Sequence, residues 1–344
     1  MTELLKIYKD LFNDNEKWKY YSRLDYNPFN STDESRKFIA EFIELAGKGE
    51  KNPLVDNIEK LKENRIRHII SIFFLGIYIY HESKFLKSLM DKTILRFKKQ
   101  NPHSKIEFSF IWFLICLFHD LGYVIEDKKH PENFESYIKG KVKYFLNKSV
   151  GVPPVYKKTF KDYFDYRLKS KDKNINKPDH GIIGGILLFN KLNDILKKKQ
   201  KNNNSKGLSW NKKLINIYRF TSWIILSHNI FFIRKGNSVS VEKEYRKYNL
   251  HDLILDKTEK SKIDLEKYPF LYFFLLVDSI DPIKTFDKYE NLNDLKIECV
   301  DNKILINVDN DILQEKYFNK VEALKDWLIP DIKIDKNRIT IIMR

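Results

Sequence analysis

The chain has 344 residues, of which 42% are hydrophobic and 14% aromatic. This length and apolar content allow a large buried core and exclude a wholly disordered chain. The two cysteines, Cys116 and Cys299, cannot form a disulfide framework, and they do not have the spacing of a zinc ribbon. We therefore expect a reducing, cytoplasmic location. The candidate functional side chains are then the histidines and the acidic residues.

The net charge of +16 arises from 63 Lys+Arg against 47 Asp+Glu, and only 11 of the basic residues are arginine. Abundant Lys together with abundant Asn, Ile, Phe and Tyr is typical of an AT-rich coding sequence. Proteins that read nucleic acids favour Arg, because its planar fork matches phosphates and base edges. Nucleic-acid binding is therefore kept as an alternative that the charge alone does not favour.

No membrane partner is expected from the hydropathy of the chain. The longest apolar run, 69–80, has 12 residues, which is too short to span a membrane and predicts a buried core helix. The first residues, MTELLKIYKDLF, lack the apolar region of a signal peptide.

Most of the chain is predicted to be helical, because glycine (11) and proline (10) are scarce and apolar residues recur at helical spacing. The sequence 31–33, Ser-Thr-Asp, is a start signal for the first long helix, and Pro178 is one for a later helix. The predicted helices are 34–47, 55–81, 83–99, 107–119, 155–168, 179–199, 210–228 and 267–279.

The pattern changes after about residue 290. LKIECVDNKILINV alternates around Asp301-Asn302, and IKIDKNRITIIM alternates around 335–337, with a helical pattern between them. These segments predict a ββαββ unit. The fold class is therefore mainly α with a small C-terminal α+β subdomain. Three parts are predicted: an N-terminal helical extension at 1–55, a helical domain at 56–288 and the subdomain at 289–344.

A histidine and an aspartate, His119-Asp120, end a very apolar predicted helix, IWFLICLFHDLGY. Unpaired polar side chains are costly in a hydrophobic interior, and a metal ion that takes both as ligands would remove that cost. Taken alone, the pair is more simply explained by a histidine bonded to a carbonyl and an aspartate that caps the next turn.

Four more ionisable residues lie in apolar or core-like runs, each on a different predicted helix: His68, His180, His228 and Asp278. A single buried histidine is ordinarily a satisfied core residue, but five such sites on five helices are harder to explain in that way. Helices in a bundle can project such side chains into a common centre, where imidazole and carboxylate groups bind transition metals.

The ordered set H…HD…H…H…D resembles the HD-domain metal-dependent phosphohydrolase superfamily over roughly residues 60–285. The resemblance implies an HD-type helical bundle, with 56–288 as its catalytic domain, and six metal ligands: His68, His119, Asp120, His180, His228 and Asp278. Within this set His180 and His228 imply a second metal, with Asp120 bridging the two. Asp281, one turn beyond Asp278, is an alternative for the final ligand.

The resemblance also implies the chemistry. A bound metal lowers the pKa of water toward about 7 and so provides hydroxide at neutral pH. One or two ions of Mn, Fe, Co, Ni or Zn, or of Mg, are the expected cofactors, and the sequence does not choose among them.

Phosphate oxygens need cationic partners, and the rare arginines near the motif are stronger candidates than the many lysines. The candidate phosphate-binding residues are Arg65, Arg67, Arg167, Lys128 and Lys177. Glu126 and His130, which follow the His-Asp pair, are candidate acid–base residues. Tyr123 stands where the triphosphohydrolase branch usually has a histidine, and no GYP motif follows His228, which argues against the cyclic-dinucleotide branch.

The function predicted from these residues is hydrolysis of a nucleotide, either a dNTP or NTP or a nucleoside monophosphate. The partners expected are the nucleotide substrate, a nucleotide effector and further copies of this chain in a homo-oligomer. Two alternatives stay open: an HD-type nuclease or cyclic-nucleotide phosphodiesterase, and a degenerate HD domain that senses a nucleotide or acts as a scaffold.

Overall fold

The structure is a computed structural model of the whole chain, and a defined set of its residues is described. Apart from a few single positions, the described residues are 3–13, 31–45, 58–100, 106–126, 161–167, 179–201, 214–229, 246–250, 262–284, 294–309, 311–326 and 330–344. The predicted domain boundaries, at 55/56 and 288/289, lie outside these ranges and stay predictions.

The described part of the chain is mostly helical, as predicted. Its helices are α1 (Glu3–Asn13), α2 (Thr32–Leu45), α3 (Glu63–Glu82), α4 (Lys84–Gln100), α5 (Phe108–His119), α6 (Tyr123–Glu126), α7 (His180–Lys201), α8 (Leu214–Ser227), α9 (Pro269–Ile280) and α10 (Asp311–Glu322), and 161–167 is also helical.

The start of α2 confirms the predicted signal, whereas the start of α3 does not. The Ser31 hydroxyl accepts a hydrogen bond from the Glu34 backbone N–H at 3.1 Å, which is the cap expected of a Ser-x-x-Glu sequence. The prediction that the next helix runs from 55 without a break is wrong. The chain turns at 60–62, and Lys62 has extended backbone angles immediately before α3.

Helix α5 lies at the centre of the helical body, because all twelve of its residues are buried. It packs against α3, α7 and α8, and the Trp112 indole N–H donates a hydrogen bond to the Phe73 carbonyl of α3 at 3.1 Å. Helix α9 is similarly apolar and packs against α3 and α8. The most apolar helices therefore surround the point at which α5 ends.

The C-terminal ββαββ prediction is confirmed. Strands β1 (Leu295–Val300), β2 (Lys303–Val308), β3 (Pro330–Asp335) and β4 (Arg338–Met343) form an antiparallel sheet in the order β1-β2-β4-β3. Both predicted turns are present, with positive φ at Asp301 (53°) and Lys336 (40°). Helix α10 packs against α9 and β2, and α1 packs against α3 and β1.

No single helix among the described residues combines the length and the apolar character needed to cross a membrane. Helices α3 and α4 meet that criterion only when they are counted together, and the chain bends by 104° between them. Both cysteines are buried and free.

Candidate metal centre

The five predicted sites converge at one place in the helical body. His119 is the last residue of α5 and Asp120 follows it, His180 is the first residue of α7, His228 directly follows α8, and Asp278 is in the last turn of α9. Asp120, His228 and Asp278 are each no more than 3% exposed. Because these apolar helices end or begin at one point, their terminal polar residues share one buried cluster, which His68 joins from the second turn of α3.

The first half of this cluster consists of His68, His119, Asp120 and Asp278. The Nε2 atoms of His68 and His119 lie 3.2 Å apart, and Asp278 Oδ1 is 3.0 Å from His68 Nε2. Asp120 Oδ1 is 3.4 Å from His119 Nε2. One ligand atom from each of His68, His119 and Asp120 lies within 4.8 Å of the other two, which is close enough for one ion to contact all three.

The second half consists of Asp120, His180 and His228. His180 Nε2 lies 3.8 Å from Asp120 Oδ1, the same oxygen that faces His119 in the first half. The His180 and His228 ring centroids are 5.2 Å apart. Asp120 Oδ1 therefore lies between the two halves of the cluster.

Three of the four histidines are oriented by hydrogen bonds at Nδ1. His119 Nδ1 is 2.6 Å from the Cys116 carbonyl, and His228 Nδ1 is 2.6 Å from the Ile225 carbonyl. His68 Nδ1 is 2.7 Å from Asp281 Oδ2. Since a carbonyl oxygen can only accept, His119 and His228 carry the proton on Nδ1 and present a bare Nε2. This arrangement is characteristic of metal-binding histidines.

Burial keeps two of these imidazoles neutral. It lowers the pKa of His119 to about 3 and the pKa of His228 to about 4, from an ordinary 6.5. Burial also acts to lower the pKa of His68, but hydrogen bonds to Asp278 and Asp281 outweigh it and raise that pKa to about 9. His119 and His228 are therefore ready to donate a lone pair at neutral pH, whereas His68 must first lose a proton.

Each cluster carboxylate has a cationic side chain of its own. Arg65 Nη1 is 2.9 Å from Asp120 Oδ2, and Lys284 Nζ is 2.8 and 2.7 Å from the two oxygens of Asp278. Burial alone would raise the pKa of Asp278, but Lys284 first and then His68 bring it well below its usual value. Burial acts in the same way on Asp120, and the surrounding imidazoles with Arg65 lower its pKa. Both carboxylates are therefore ionised.

Asp278 and Asp281, the two candidates for the final ligand, contact opposite nitrogens of His68. Asp278 Oδ1 faces Nε2 of His68 and is 3.9 Å from Nε2 of His119, so it lies on the inner side of the cluster. Asp281 binds the opposite nitrogen of His68, and it is wholly buried. Asp278 is therefore the carboxylate that faces the cluster, and Asp281 contacts the outer nitrogen of His68.

The surroundings of His180 include Asp179 and Asn229, which were not predicted from the sequence. Asn229 Nδ2 is 3.0 Å from His180 Nε2 and 3.0 Å from Asp179 Oδ1. The Tyr123 ring stacks on His180 at 3.7 Å, and the Arg65 guanidinium carbon is 3.3 Å from the Tyr123 centroid. Asp179 and Asn229 directly neighbour motif histidines in the chain, which is the signal that could have identified them.

Two glycines allow this close approach. A Cβ on Gly122 would lie 1.9 Å from the His180 carbonyl oxygen, so the turn after Asp120 could not contact the start of α7. A Cβ on Gly181 would lie 2.7 Å from His228 Cε1 and 2.9 Å from Asp179 Oδ1. A larger residue at Gly122 would move Asp120 away from His180, and one at Gly181 would move the start of α7 away from His228.

The remaining predicted residues have mixed outcomes. Arg67 pairs with Glu63, one turn earlier on α3, and Arg167 is close enough for its charge to contribute to a lowered pKa of Asp179. Glu126 is the last residue of α6, but its side chain is outside the described part. Three further candidates lie outside the described residues and stay predictions: Lys128, His130 and Lys177.

Comparison of the chain with models of protein families, with curated proteins and with solved structures gives no match.

Proposed function

We propose that the chain is a metal-dependent phosphohydrolase of the HD superfamily that acts on a nucleotide. The observation that carries this proposal is the orientation of the histidines. His68, His119 and His228 each bind an acceptor through Nδ1, and the Nε2 atoms of His68 and His119 approach the buried carboxylates. A single core histidine also binds an acceptor through one nitrogen. Several such histidines whose Nε2 atoms meet at shared buried carboxylates are what a metal centre requires.

The donor set fits a transition metal. Imidazole and carboxylate groups suit Mn, Fe, Co, Ni and Zn, and the first half of the cluster offers two of each. A metal bound there would supply acidified water, with its pKa lowered toward about 7. His68, His119, Asp120 and Asp278 would hold a first ion, and His180 and His228 a second that shares Asp120.

Two cationic side chains define the side from which a phosphate can approach. The Arg65 side chain is 30% exposed and the Lys284 side chain is 40% exposed, although their charged groups contact buried carboxylates. Each therefore extends from solvent to the cluster, where it can also bind a phosphate oxygen. Arg67, Arg167, Lys128 and Lys177 are proposed to bind the more distant phosphates, and Glu126 and His130 to transfer protons.

The test is metal analysis followed by a substrate panel. The purified protein is loaded with each candidate metal and incubated with NTPs, dNTPs, nucleoside monophosphates and cyclic nucleotides. Released triphosphate, pyrophosphate or phosphate, identified by mass, names the bond that is cleaved. Cleavage of no member of the panel by the metal-loaded protein would overturn the proposal.

A matched pair of variants makes this test specific. His119→Ala is expected to abolish turnover and to lower the bound metal. His81→Ala replaces a histidine at the far end of α3, ~20 Å along the helix from His68, and is expected to change neither.

A second candidate is a degenerate HD domain that senses a nucleotide without a metal. The ion pairs of Arg65 with Asp120 and of Lys284 with Asp278 favour it, because they neutralise the carboxylates that a metal would use. Nucleotide binding that persists in excess chelator, with no metal bound under any condition, would support this candidate. The homo-oligomer, the nucleotide effector and the nuclease alternative stay predictions.

A further inference from the structure

A continuous path of hydrogen bonds joins the N-terminal helix to His68. The Tyr8 hydroxyl of α1 is 3.1 Å from Ser71 Oγ on α3, and Ser71 Oγ contacts Asp281 Oδ1. Asp281 Oδ2 is 2.7 Å from His68 Nδ1. Tyr8, Ser71 and Asp281 are all 0% exposed, so these bonds do not exchange readily with water.

The two oxygens of Asp281 have different partners. Ser71 donates its hydroxyl proton to Oδ1, and His68 Nδ1 lies against Oδ2. The Ser71 proton is then committed, and its oxygen accepts from Tyr8. The Lys284 backbone N–H also donates to Asp281 Oδ2, at 3.1 Å.

A second buried tyrosine approaches the same turn from the C-terminal subdomain. The Tyr317 hydroxyl of α10 donates to the carbonyl of Ile280, the residue immediately before Asp281. Tyr317 is also 0% exposed. Asp281 lies just beyond the end of α9, with extended backbone angles, so the helix does not itself hold the Asp281 carboxylate in place. Ser71 and His68 of α3 and the Lys284 N–H contact the carboxylate directly. Tyr8 of α1 acts on it through Ser71, and Tyr317 of α10 acts through the Ile280 carbonyl.

We infer that Tyr8, Ser71 and Tyr317 are positioning residues for His68, which act through Asp281 and its backbone. The inference depends on the proposed role of His68 as a metal ligand. Under this inference both flanking segments have a function. The phenol of Tyr8 in the N-terminal extension and the phenol of Tyr317 in the C-terminal subdomain help to hold Asp281, which orients the proposed metal ligand His68.

The strength of the effect follows from what each variant leaves behind. Ser71→Ala removes one of the hydrogen bonds that the buried Asp281 carboxylate accepts. Asp281 can then turn away from His68. Loss of such an outer partner typically weakens metal binding by about 10- to 100-fold. Tyr8→Phe and Tyr317→Phe act one bond further away, and each is expected to weaken it by a few-fold.

The experiment measures metal affinity by competition with a chromophoric chelator and records the absorption spectrum of the cobalt-loaded protein. Ser71→Ala and Tyr8→Phe should weaken the first equivalent and shift the cobalt spectrum, and Ser71→Thr, which keeps the hydroxyl, should restore both. Tyr272→Phe and Ser222→Ala are matched controls. Each removes a buried hydroxyl that has no hydrogen-bond partner in the described structure.

The outcomes separate this inference from the proposed function. Wild-type metal affinity in Ser71→Ala, Tyr8→Phe and Tyr317→Phe would overturn it, as would a loss of thermal stability with no change in the cobalt spectrum. Weakened metal binding in Ser71→Ala, in a protein that cleaves no nucleotide, would support the inference and overturn the proposed function. A wild-type protein that binds no metal would overturn both.

Discussion

The two halves of the cluster differ in how their charge is balanced. In the first half, Asp120 and Asp278 face Arg65, Lys284 and a His68 imidazole whose pKa is raised to about 9. The second half shares the carboxylate of Asp120 and has Asp179 beside it, where Asp179 accepts from Asn229, and burial lowers the pKa of His228 to about 4. The first half is thus rich in paired charge, whereas the second consists mainly of two imidazoles, His180 and His228, with Tyr123 and Asn229 in contact with His180.

This difference implies unequal metal affinity. The first half offers two carboxylates and two imidazoles, which is a complete set of four ligands. The second half offers two imidazoles and one shared carboxylate, and Asn229 already contacts His180 Nε2. We therefore expect the first half to bind its ion more tightly and the second to fill at higher metal concentration.

The largest effect is expected from the residue that the two halves share. Asp120→Asn removes a charge from both and leaves Arg65 without its carboxylate partner, so both metals should be lost. The expected fall in kcat is about 1,000-fold, or about 4 kcal/mol in the barrier. Elemental analysis and turnover of the substrate that the panel identifies provide the measurement. Asp91→Asn, which alters a carboxylate bonded to Tyr80 away from the cluster, is the control.

One histidine from each half tests whether the halves are independent. His119→Ala should remove the tighter ion, because it deletes the imidazole nearest Asp120 in the first half. His228→Ala should retain that ion and lose the weaker one. The number of ions bound per chain, measured by elemental analysis over a range of free metal, checks both expectations. Retention of two ions by His119→Ala would contradict the comparison.

Lys284→Met should tighten metal binding in the first half. The ammonium contacts both oxygens of Asp278 and competes with any ion for them. Its removal is expected to lower the dissociation constant about tenfold, or about 1.4 kcal/mol. Lys267→Met removes a mostly exposed lysine that pairs with Asp264 and should have no effect. Weaker metal binding in Lys284→Met would instead assign the lysine a supporting role.

The smallest effect is the pH dependence of stability in chelator-treated protein. His119 and His228, with pKa values lowered to about 3 and 4, bind fewer protons when folded, so stability should fall as pH drops below 6.5. His68 binds more protons when folded, because its pKa is raised to about 9. Its contribution is complete below pH 6.5 and is lost as pH rises through about 9.

Denaturant unfolding between pH 4 and 9 therefore should show maximal stability near pH 6.5. His228→Gln should flatten the acid side of the curve, and His68→Gln the alkaline side. A stability that rises steadily up to pH 9 in the unmodified chain would show that His68 is not held between two carboxylates.

The helices and the ligand types could be predicted from local pattern. Apolar spacing located α5 and α9 to within one or two residues, and the Ser31 cap and both hairpin turns were correct. The predicted start of α3 was wrong, because a turn at 60–62 interrupts a stretch whose composition is also typical of a helix. The HD-type arrangement itself, the substrate and the role of the subdomain stay predictions.

The sequence by itself determined that ionisable residues end apolar helices, and hydrophobic burial then makes those ends converge. Tertiary structure alone decided which nitrogen of each histidine faces inward. It also distinguished Asp278 from Asp281, which are three residues apart and chemically identical. The contacts of Tyr8 with Ser71 and of Tyr317 with Ile280 join residues far apart in the chain, 63 and 37 positions. Spacing along one element carries no information about such contacts, because they depend on how separate elements pack.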